Sequence, residues 1–323
     1  MTTPATMRAA VLTAFGGPEN VVVEERVVPA PRDNEILVRV AATTINSADT
    51  RIRTRSFPKG FGLFASLAFG FTRPRFDILG VELAGSVVAT GKAVTRFAVG
   101  DEIIAMPGFG THQQFRAIAE TKPIAKKPAA ISFEQAAALC FGGTTALHFL
   151  RKAGVQPGER ILVIGATGAV GSAIVQIARH MGAEVTAATS AANMDLAHSL
   201  GVSHVLDYTH ADYTGVRAAY DIIADTAGAT SLDACFDALK PGGRFLAIAG
   251  GLGDLFKQGR GGKRQIAGMA SERAEDIALL AELAEQGVYT PLVDSTFSLS
   301  ETADAHARAA SGRKRGSVVV TMG

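Results

Sequence analysis

The fold is decided by the stretch Ile161-Leu162-Val163-Ile164-Gly165-Ala166-Thr167-Gly168-Ala169-Val170-Gly171, which residues 172–181 follow with helical periodicity. Its pattern of aliphatic run, glycine turn and amphipathic segment predicts a buried strand leading directly into a helix. Such a turn presents free backbone amides and the positive end of a helix dipole to a pyrophosphate. The strict dinucleotide pattern has glycine where this chain has Ala166, and a tight turn without a ligand is the alternative. Because strand and helix both flank the turn correctly, we predict dinucleotide contacts at Gly165, Ala166, Thr167, Gly168, Ala169, Val170 and Gly171.

Strands alternate with helical segments on both sides of this turn. Strand candidates recur at residues 160–164, 184–189, 205–206, 221–225 and 244–249. The intervening segments are long enough for crossover helices, so the strands should be parallel and covered by helices. Residues 8–117 instead show short strands separated by turn residues, a pattern typical of a compact β unit. We expect an α/β fold, with a doubly wound parallel sheet in residues 128–289 inserted between a β domain (1–127) and a tail (290–323) that rejoins it.

Composition excludes several functional classes. The 323 residues carry 32 Lys and Arg against 30 Asp and Glu, so no global charge attracts nucleic acid. The two cysteines, Cys140 and Cys235, form neither a disulfide framework nor a paired zinc element. The N-terminus lacks the apolar core of a signal peptide, and the uncharged stretch at 60–72 is shorter than the ~20 residues needed to span a bilayer. We expect a cytoplasmic protein.

The choice of dinucleotide depends on the end of the second strand of the sheet. An acid there would bind the ribose 2′-hydroxyl and repel a 2′-phosphate. Glu184 begins this strand instead, and Thr189, Ser190 and Asn193 stand at its far end. The absence of an acid favours NADPH, with hydroxyl and amide donors recognising the phosphate. No Lys or Arg occurs between Arg179 and Arg217, which leaves NADH as the alternative.

Further landmarks occur in order along the chain: Ile45-Asn46-Ser47-Ala48-Asp49, Leu79-Gly80-Val81-Glu82-Leu83-Ala84-Gly85, Val99-Gly100-Asp101-Glu102, Gly143-Thr144-Thr145-Ala146, Leu200-Gly201-Val202 and Lys240-Pro241-Gly242-Gly243-Arg244. Together with the glycine turn they make the chain resemble the zinc-independent, quinone oxidoreductase-like branch of the medium-chain dehydrogenase/reductase superfamily. The resemblance covers nearly all of the chain. It implies a GroES-like catalytic domain beside a Rossmann domain, an active site in the cleft between them, and a homodimer paired through an edge strand at residues 263–270.

The resemblance also allows a test for metal chemistry. By alignment, the catalytic zinc ligands of the superfamily fall on Asn46, Val81 and Cys140, and only one of these three is a usual zinc ligand. The cysteines of the structural zinc lobe are absent. We therefore predict no zinc and interpret Cys140 as a small buried apolar side chain.

Individual roles follow from the resemblance. It places Asn46 near the substrate carbonyl or the nicotinamide, with a cap on a local turn as the alternative. Thr145 matches a threonine near the nicotinamide, or else it is a hydroxyl that satisfies backbone at the start of a helix. Tyr208 matches a position near the adenosine phosphate, or else it packs as a partly buried side chain. Ala227, Ala249 and Gly250 complete the predicted cofactor contacts.

One departure concerns the proton donor. Enoyl reductases of this group carry a tyrosine where counting from Asn46 places Phe57, and all four tyrosines of this chain lie in its later half. This weakens an enoyl-thioester reductase reading more than a quinone one, because a reduced quinone takes its proton from solvent.

Residues 51–76 combine six cations with no acid and contain six phenylalanines. A surface helix and loop whose aromatics pack on the β domain is one interpretation. The others are an apolar flap over a bulky acceptor, with Phe57, Phe61 and Phe64 in the substrate pocket, and contact with an anionic membrane. Asp49, just before this segment, is expected to anchor the loop.

We therefore expect an NADPH-dependent reductase of quinones or activated enones, acting on a small hydrophobic substrate without zinc. A reductase for the double bond of one specific metabolite is the second hypothesis. A binding partner protein that holds NADPH with little catalysis is the third.

Overall fold

The computed structural model describes residues 3–57, 60–210, 212–213, 215–257 and 259–323. The helices in these ranges are α1 (Ser47–Thr54), α2 (Gly62–Phe69), α3 (Phe133–Ala137), α4 (Leu139–Ala153), α5 (Ala169–His180), α6 (Met194–Ser199), α7 (Ala274–Glu285) and α8 (Thr302–Ala310). Short 3₁₀ turns cover Pro18–Asn20, Ala191–Asn193, Leu252–Phe256 and Leu299–Glu301.

The strands in the described residues are β1 (Thr6–Leu12), β2 (Val21–Val27), β3 (Glu35–Ile45), β4 (Leu83–Thr90), β5 (Glu102–Ala105), β6 (Phe115–Ala119), β7 (Ile124–Lys126), β8 (Arg160–Ile164), β9 (Glu184–Thr189), β10 (His204–Asp207), β11 (Tyr220–Asp225), β12 (Leu239–Ala247), β13 (Gly259–Arg260), β14 (Lys263–Ala267), β15 (Val293–Ser298) and β16 (Ser317–Thr321).

Two units divide the chain: Met1–Phe57, Gly62–Phe141 and Glu272–Gly323 form the first, and Pro58–Phe61 and Gly142–Ser271 the second. The expected boundaries lay at 127 and 290, so residues 128–141 and 272–289 fall with the first unit instead. Their helices explain this placement, because α3 packs on β3 and β4 and α7 packs on β7.

The first unit is built around the long strand β3. It lies in a seven-stranded sheet of order β15-β16-β3-β4-β5-β7, with β6 also pairing with β3, and β1 and β2 form a separate antiparallel pair. Alternate residues Ile36, Val38 and Val40 are fully buried in the apolar core. Leu37, between them on the other face, is also buried, in a second cluster with Met7 and Phe115, so this part of β3 is covered on both faces. The C-terminal strands β15 and β16 join this sheet.

The second unit contains the predicted parallel sheet. Its strand order is β10-β9-β8-β11-β12-β14-β13, and each pair is parallel except β13 with β14. The aliphatic run of β8 is buried, as is usual for a central strand of a parallel sheet. The predicted fold class, an α/β protein with a doubly wound Rossmann domain and a β domain, is confirmed.

Two local expectations are wrong. The β8–β9 and β9–β10 connections contain α5 and α6, but the described residues between β10 and β11 and between β11 and β12 form turns rather than helices. The turn before β12 is held by single hydrogen bonds such as Cys235 N to Ser231 O. The strand predicted at 263–270 is β14, which ends at Ala267. The edge of the sheet is formed by the two-residue strand β13, which pairs with β14.

Close packing of backbone explains two glycines of the turn between β8 and α5. A Cβ added at Gly171 would lie 2.1 Å from the Gly165 carbonyl oxygen, so helix α5 approaches the turn too closely for any side chain. Gly165 has a φ of +77°, and a Cβ there would lie 2.7 Å from Thr226 Oγ1. The helix therefore begins directly against the strand end because both residues are glycine.

We expect Gly171→Ala to destabilise the chain by about 1–3 kcal/mol, because the added methyl group overlaps a backbone oxygen that cannot rotate away. Urea unfolding of the variant measures this change. The matched control is Gly253→Ala, where an added Cβ has no atom within 4 Å. Equal stability of the two variants would contradict the close packing described here.

Candidate active site

The glycine turn leaves the first amides of α5 without acceptors inside the helix. Gly168 is the N-cap residue, has no side chain to cap the helix, and its own N–H bonds to Gly165 O at 3.0 Å. Helix geometry gives the amides of the first turn no carbonyl four residues earlier. A Cβ at Gly168 would meet only Gly165 O, at 3.4 Å, so the space in front of the turn is open. Free amides beside an open glycine surface fit the pyrophosphate of a dinucleotide.

Thr189, Ser190 and Asn193 lie together where β9 ends, as predicted. Thr189 is buried, and its hydroxyl lies 3.2 Å from that of Thr167 in the glycine turn. Ser190 begins the 3₁₀ turn Ala191–Asn193. Asn193 Oδ1 is buried and has no hydrogen-bond partner among the described residues. An unpartnered buried acceptor is costly in a protein alone, so a ligand group that donates a hydrogen bond, such as a hydroxyl, fits this end of the strand.

An acid that the sequence argument missed stands beside Thr189. Asp207 ends β10 and pairs in parallel register with Thr189, so the two lie side by side on neighbouring strands. Its carboxylate accepts hydrogen bonds from the Thr209 hydroxyl at 2.7 Å and lies 2.8 Å from His210 Nδ1. These contacts, led by the one with His210, lower the pKa of Asp207 to about 2. The signal for this residue was its position on the adjacent strand, which the sequence argument did not consider.

Tyr208, Ala227, Ala249 and Gly250 also follow strand ends of the parallel sheet. The backbone N–H of Tyr208 bonds to Thr189 O at 3.1 Å, and the side chain of Tyr208 is half exposed, which weakens its alternative role in packing. Ala249 lines a cavity of about 640 Å³ together with Gly60 and residues of the 251–257 loop. These placements are compatible with the predicted cofactor contacts, which stay predictions.

Ala227 is positioned by Asp225, a second residue that sequence reasoning missed. Asp225 is buried at the end of β11, where its Oδ1 accepts the N–H groups of Ala227, Gly228 and Ala229 and its Oδ2 accepts that of Thr230. Four backbone donors on one carboxylate fix the turn after the strand. An aspartate directly after an aliphatic run and before Thr-Ala-Gly was the available signal.

Asn46 caps helix α1 and still has a free donor. Its side-chain Oδ1 accepts from Ala48 N at 2.8 Å and Asp49 N at 3.3 Å, and Asp49 Oδ2 accepts from Asn46 N at 2.9 Å. The local cap, which was the alternative interpretation of Asn46, is present as a reciprocal capping box, and its predicted place near the substrate stays a prediction. The two backbone donors require oxygen at this position, which assigns the other end of the amide as NH₂. That NH₂ group is buried and has no hydrogen-bond partner among the described residues.

Asp49 fixes the loop around this cap, as expected. It is fully buried, and its Oδ1 accepts from Gly80 N at 2.8 Å. Burial raises the pKa of Asp49, and the nearby imidazole of His112 partly offsets that rise. Asp49 thus ties the start of α1 to the loop that precedes β4.

The three positions aligned with zinc ligands do not fit a zinc ion. Asn46 Oδ1 is engaged by two backbone amides, and the side chain of Val81 has no donor atom. Cys140 is fully buried, as predicted, and burial raises the pKa of its thiol well above the usual value. A thiol that stays protonated is a poor metal ligand. Within the described ranges, no three His, Cys, Asp or Glu side chains come together as a metal site would require.

Glu82 joins strand β3 to the start of helix α4. Its Oε1 accepts from Thr44 Oγ1 at 2.5 Å, and its Oε2 accepts from Phe141 N at 2.6 Å, in the first turn of α4. Burial raises the pKa of Glu82 to about 7, and this effect exceeds the opposing effect of both hydrogen bonds. The nearby carboxyl of Asp49 raises the pKa further.

The remaining predicted site residues lie in different surroundings. Thr145 is in the second turn of α4, so its expected place at a helix start is wrong, because the helix already begins at Leu139. The ring of Phe57 stacks on Phe69, with centroids 5.8 Å apart, and packs on the apolar core of the first unit. Phe61 is partly buried and belongs to the second unit, whereas Phe64 is 63% exposed. Their role in a substrate pocket stays a prediction.

Comparison with known proteins identifies the family. Residues 32–129 match the alcohol dehydrogenase GroES-like domain, and residues 200–320 match the family described as zinc-binding dehydrogenase. An NADPH-dependent alkenal/one oxidoreductase of Arabidopsis thaliana is 30% identical over 334 residues, which cover 98% of this chain and 80% of that protein. A chloroplast envelope quinone oxidoreductase homolog of the same plant is 28% identical, over 91% of each chain. The chain belongs to the quinone oxidoreductase-like branch of the medium-chain dehydrogenase/reductase superfamily.

A solved structure agrees with this assignment. The CurK enoyl reductase superimposes with a TM-score of 0.86 at 25% identity, covering 99% of this chain and all of the other. The first unit is thus a GroES-like domain, and the chain is an oxidoreductase. No helix in the part of the chain that the structure describes is long and apolar enough to cross a membrane.

The raised pKa of Glu82 predicts a pH-dependent stability. Because the folded-state pKa is about 7 and the ordinary value is 4.5, the contribution of Glu82 is full at low pH and is lost as the pH rises through 7. The loss between the two pKa values is about 3 kcal/mol. We expect Glu82→Gln to remove this loss, since its amide oxygen can accept from Phe141 N and its NH₂ can donate to the Thr44 hydroxyl.

Urea unfolding at pH 5 and pH 8 measures the effect as a difference between the wild type and Glu82→Gln. The variant should gain stability relative to the wild type at the higher pH. A stability difference that is the same at both values would show that Glu82 does not titrate between them.

Proposed function

We propose that this chain reduces an activated carbon–carbon double bond of an enone, or a quinone, with NADPH and without zinc. The observation that carries the proposal is the buried, unpartnered NH₂ group of Asn46. Both substrate types present a carbonyl oxygen that gains negative charge as hydride adds. A fixed amide donor stabilises that charge without changing its own protonation state.

The protein's own groups would bind and orient, and bound NADPH would supply the hydride. The free amides of the α5 N-terminus would hold the pyrophosphate, and the amide of Asn46 would hold the carbonyl oxygen of the acceptor. Hydride adds to the β-carbon of an enone, and the electron pair moves to the carbonyl oxygen. A solvent proton would then complete the reaction, since counting along the chain from Asn46 puts Phe57 where the resemblance implies a tyrosine.

Three observations support the absence of zinc in this mechanism. The oxygen of Asn46 is already engaged, Val81 has no donor, and the Cys140 thiol is held protonated by burial. A Lewis acid is needed to stabilise an alkoxide, whereas an enone or quinone is already electrophilic. The residues at these three positions therefore suit an enone or a quinone, whose reduction needs no Lewis acid.

NADPH is proposed over NADH because no acid ends β9 and because one relative is named as NADPH-dependent. Asp207 lies nearby, but its carboxylate is already engaged by Thr209 and His210.

We further propose that the chain is a cytoplasmic homodimer that pairs through the β13–β14 edge. A reductase for one specific metabolite is the second candidate, which the structural likeness to CurK enoyl reductase favours.

Initial rates of NADPH and NADH oxidation test the proposal, with an ortho-quinone and a simple alkyl enone as acceptors and a strong metal chelator present. We expect turnover that resists the chelator and a kcat/KM roughly tenfold or more in favour of NADPH. Loss of activity with the chelator would contradict the zinc-free mechanism. Tight NADPH binding without turnover of either acceptor would contradict the proposed reaction and leave the specific reductase or the non-catalytic binder.

A second test separates the two roles of Asn46. Asn46→Ser keeps a side-chain oxygen for the cap but removes the NH₂ donor, so stability should change by less than about 1 kcal/mol. We expect kcat to fall on the order of 100-fold, as when one oxyanion donor is removed. Thermal unfolding and steady-state rates on the same preparations measure both quantities. Wild-type kcat in this variant would mean that Asn46 is only a helix cap.

A further inference from the structure

An exposed apolar surface lies on residues 62–76, here called the arm, which comprises α2 and the turn that follows it. Four side chains on it are more than half exposed: Leu63 at 66%, Phe64 at 63%, Leu67 at 58% and Phe71 at 54%. Leu63, Phe64 and Leu67 are spaced i, i+1 and i+4, so they share one face of the helix. No residue of α2 is charged. A helix that shows its apolar face to water is unusual in a soluble protein and marks an interaction surface.

The opposite side of the arm is packed on the protein. Phe69 lies 5.5 Å from Phe109 and 6.3 Å from Phe76, measured between ring centroids, and Phe76 stacks on Phe109 at 5.2 Å. Ala65 and Ser66 are buried. The inner side of the arm is therefore already packed on the protein. The exposed apolar face is a second, separate face of the same helix.

Arg55 fastens the arm in place. Its guanidinium donates to Phe71 O at 2.5 Å and to Ser66 Oγ at 2.7 Å, and it lies over the ring of Phe15. The turn after α2 is closed by a bond from Arg75 N to Phe69 O at 2.8 Å. These contacts hold the exposed side chains together on one surface.

The charged residues of this segment have one sign. Residues 51–76 include no acid, and Arg73 and Arg75 are exposed beside the apolar face. The nearest acid along the chain, Asp77, is paired with Arg26 at 3.4 Å. Lys59 also belongs to this basic segment and lies outside the described residues. A second copy of the chain would bring the same cations against these, whereas an anionic lipid surface offers both apolar depth and negative charge.

We propose that the arm docks this protein on an anionic membrane surface, with Leu63, Phe64, Leu67 and Phe71 in the interfacial layer and Arg73 and Arg75 at the headgroups. Such a contact lies on the membrane without crossing it. It is independent of which acceptor the enzyme reduces, since it depends only on the arm.

Vesicle flotation of the full chain tests the proposal. The vesicles are phosphatidylcholine alone, or phosphatidylcholine with about one third phosphatidylglycerol, at about 0.15 M salt. We expect binding to the anionic vesicles that is roughly tenfold tighter than to the neutral ones and that weakens at about 0.5 M salt. Equal binding to both vesicle types, or no binding to either, would overturn the proposal.

Two double variants separate the apolar and electrostatic contributions. Phe64→Ser/Leu67→Ser and Arg73→Gln/Arg75→Gln should each weaken binding at least about fivefold, because each removes one of the two attractions. The matched control is Val27→Ser/Met269→Ser, two apolar side chains that are 78% and 82% exposed elsewhere. Binding by the serine variant of the arm equal to that of this control would overturn the proposal.

Sedimentation velocity tests whether a second copy of the chain, rather than a membrane, covers this surface. If the arm joins two copies of the chain, Phe64→Ser/Leu67→Ser lowers the oligomeric mass and the wild type does not float with vesicles, which overturns the proposal. An unchanged oligomeric mass together with lost flotation supports it. Circular dichroism of each variant confirms that the fold is retained.

Discussion

The backbone amides at the start of helix α1 need hydrogen-bond acceptors. The side chain of Asn46 supplies one, and this contact fixes the direction of its own NH₂ group. Asn46 Oδ1 accepts two of these amides, and Asp49 returns the contact to Asn46 N. The amide of Asn46 cannot turn over without placing NH₂ against N–H donors. Its donor end is thereby held in one direction without further side-chain contacts. The cap uses the oxygen of this amide group, and the proposed catalytic role would use its NH₂ group, so the two roles do not exclude each other.

The buried ionisable groups of the first unit act on stability in opposite directions. Glu82 holds its proton in the folded state because burial outweighs its two hydrogen bonds, so its contribution declines with rising pH. His306 is buried beside His112, with ring centroids 5.8 Å apart, and burial lowers its pKa well below the ordinary value. Its contribution is full above the ordinary pKa and declines as the pH falls. Because the contribution of Glu82 declines as the pH rises and that of His306 declines as the pH falls, the two together make the fold most stable at an intermediate pH.

Local patterns predicted the parts of the structure that local physics controls. The parallel sheet and the glycine turn follow from periodicity and hydrogen bonding over a few residues, and both are present. The missing crossover helices and the position of Thr145 within α4 were not predictable in this way. Connection length permits a helix without requiring one, and α4 begins at Leu139, six residues before Thr145.

Side-chain contacts between distant segments were the other limit. Asp207 is adjacent to Thr189 only because β10 pairs with β9, and Glu82 reaches Phe141 only through the folded chain. Sequence showed the residue types but neither their neighbours nor their burial. The pairing of Phe57 with Phe69 likewise needed the course of the arm.

The surroundings of Thr189 bear on how a 2′-phosphate would be recognised. Its hydroxyl is shared with Thr167, and the carboxylate on its other side is engaged by Thr209 and His210. The negative charge of Asp207 is thus turned toward its own loop, where hydrogen bonds compensate it. Ser190 and Asn193 remain as neutral groups at the strand end, and the unpartnered buried atom of Asn193 is its acceptor oxygen Oδ1, which a phosphate oxygen does not bind. Recognition of a phosphate here would rest on hydroxyl and amide donors, whose hydrogen bonds to a charged oxygen are stronger than those between neutral groups.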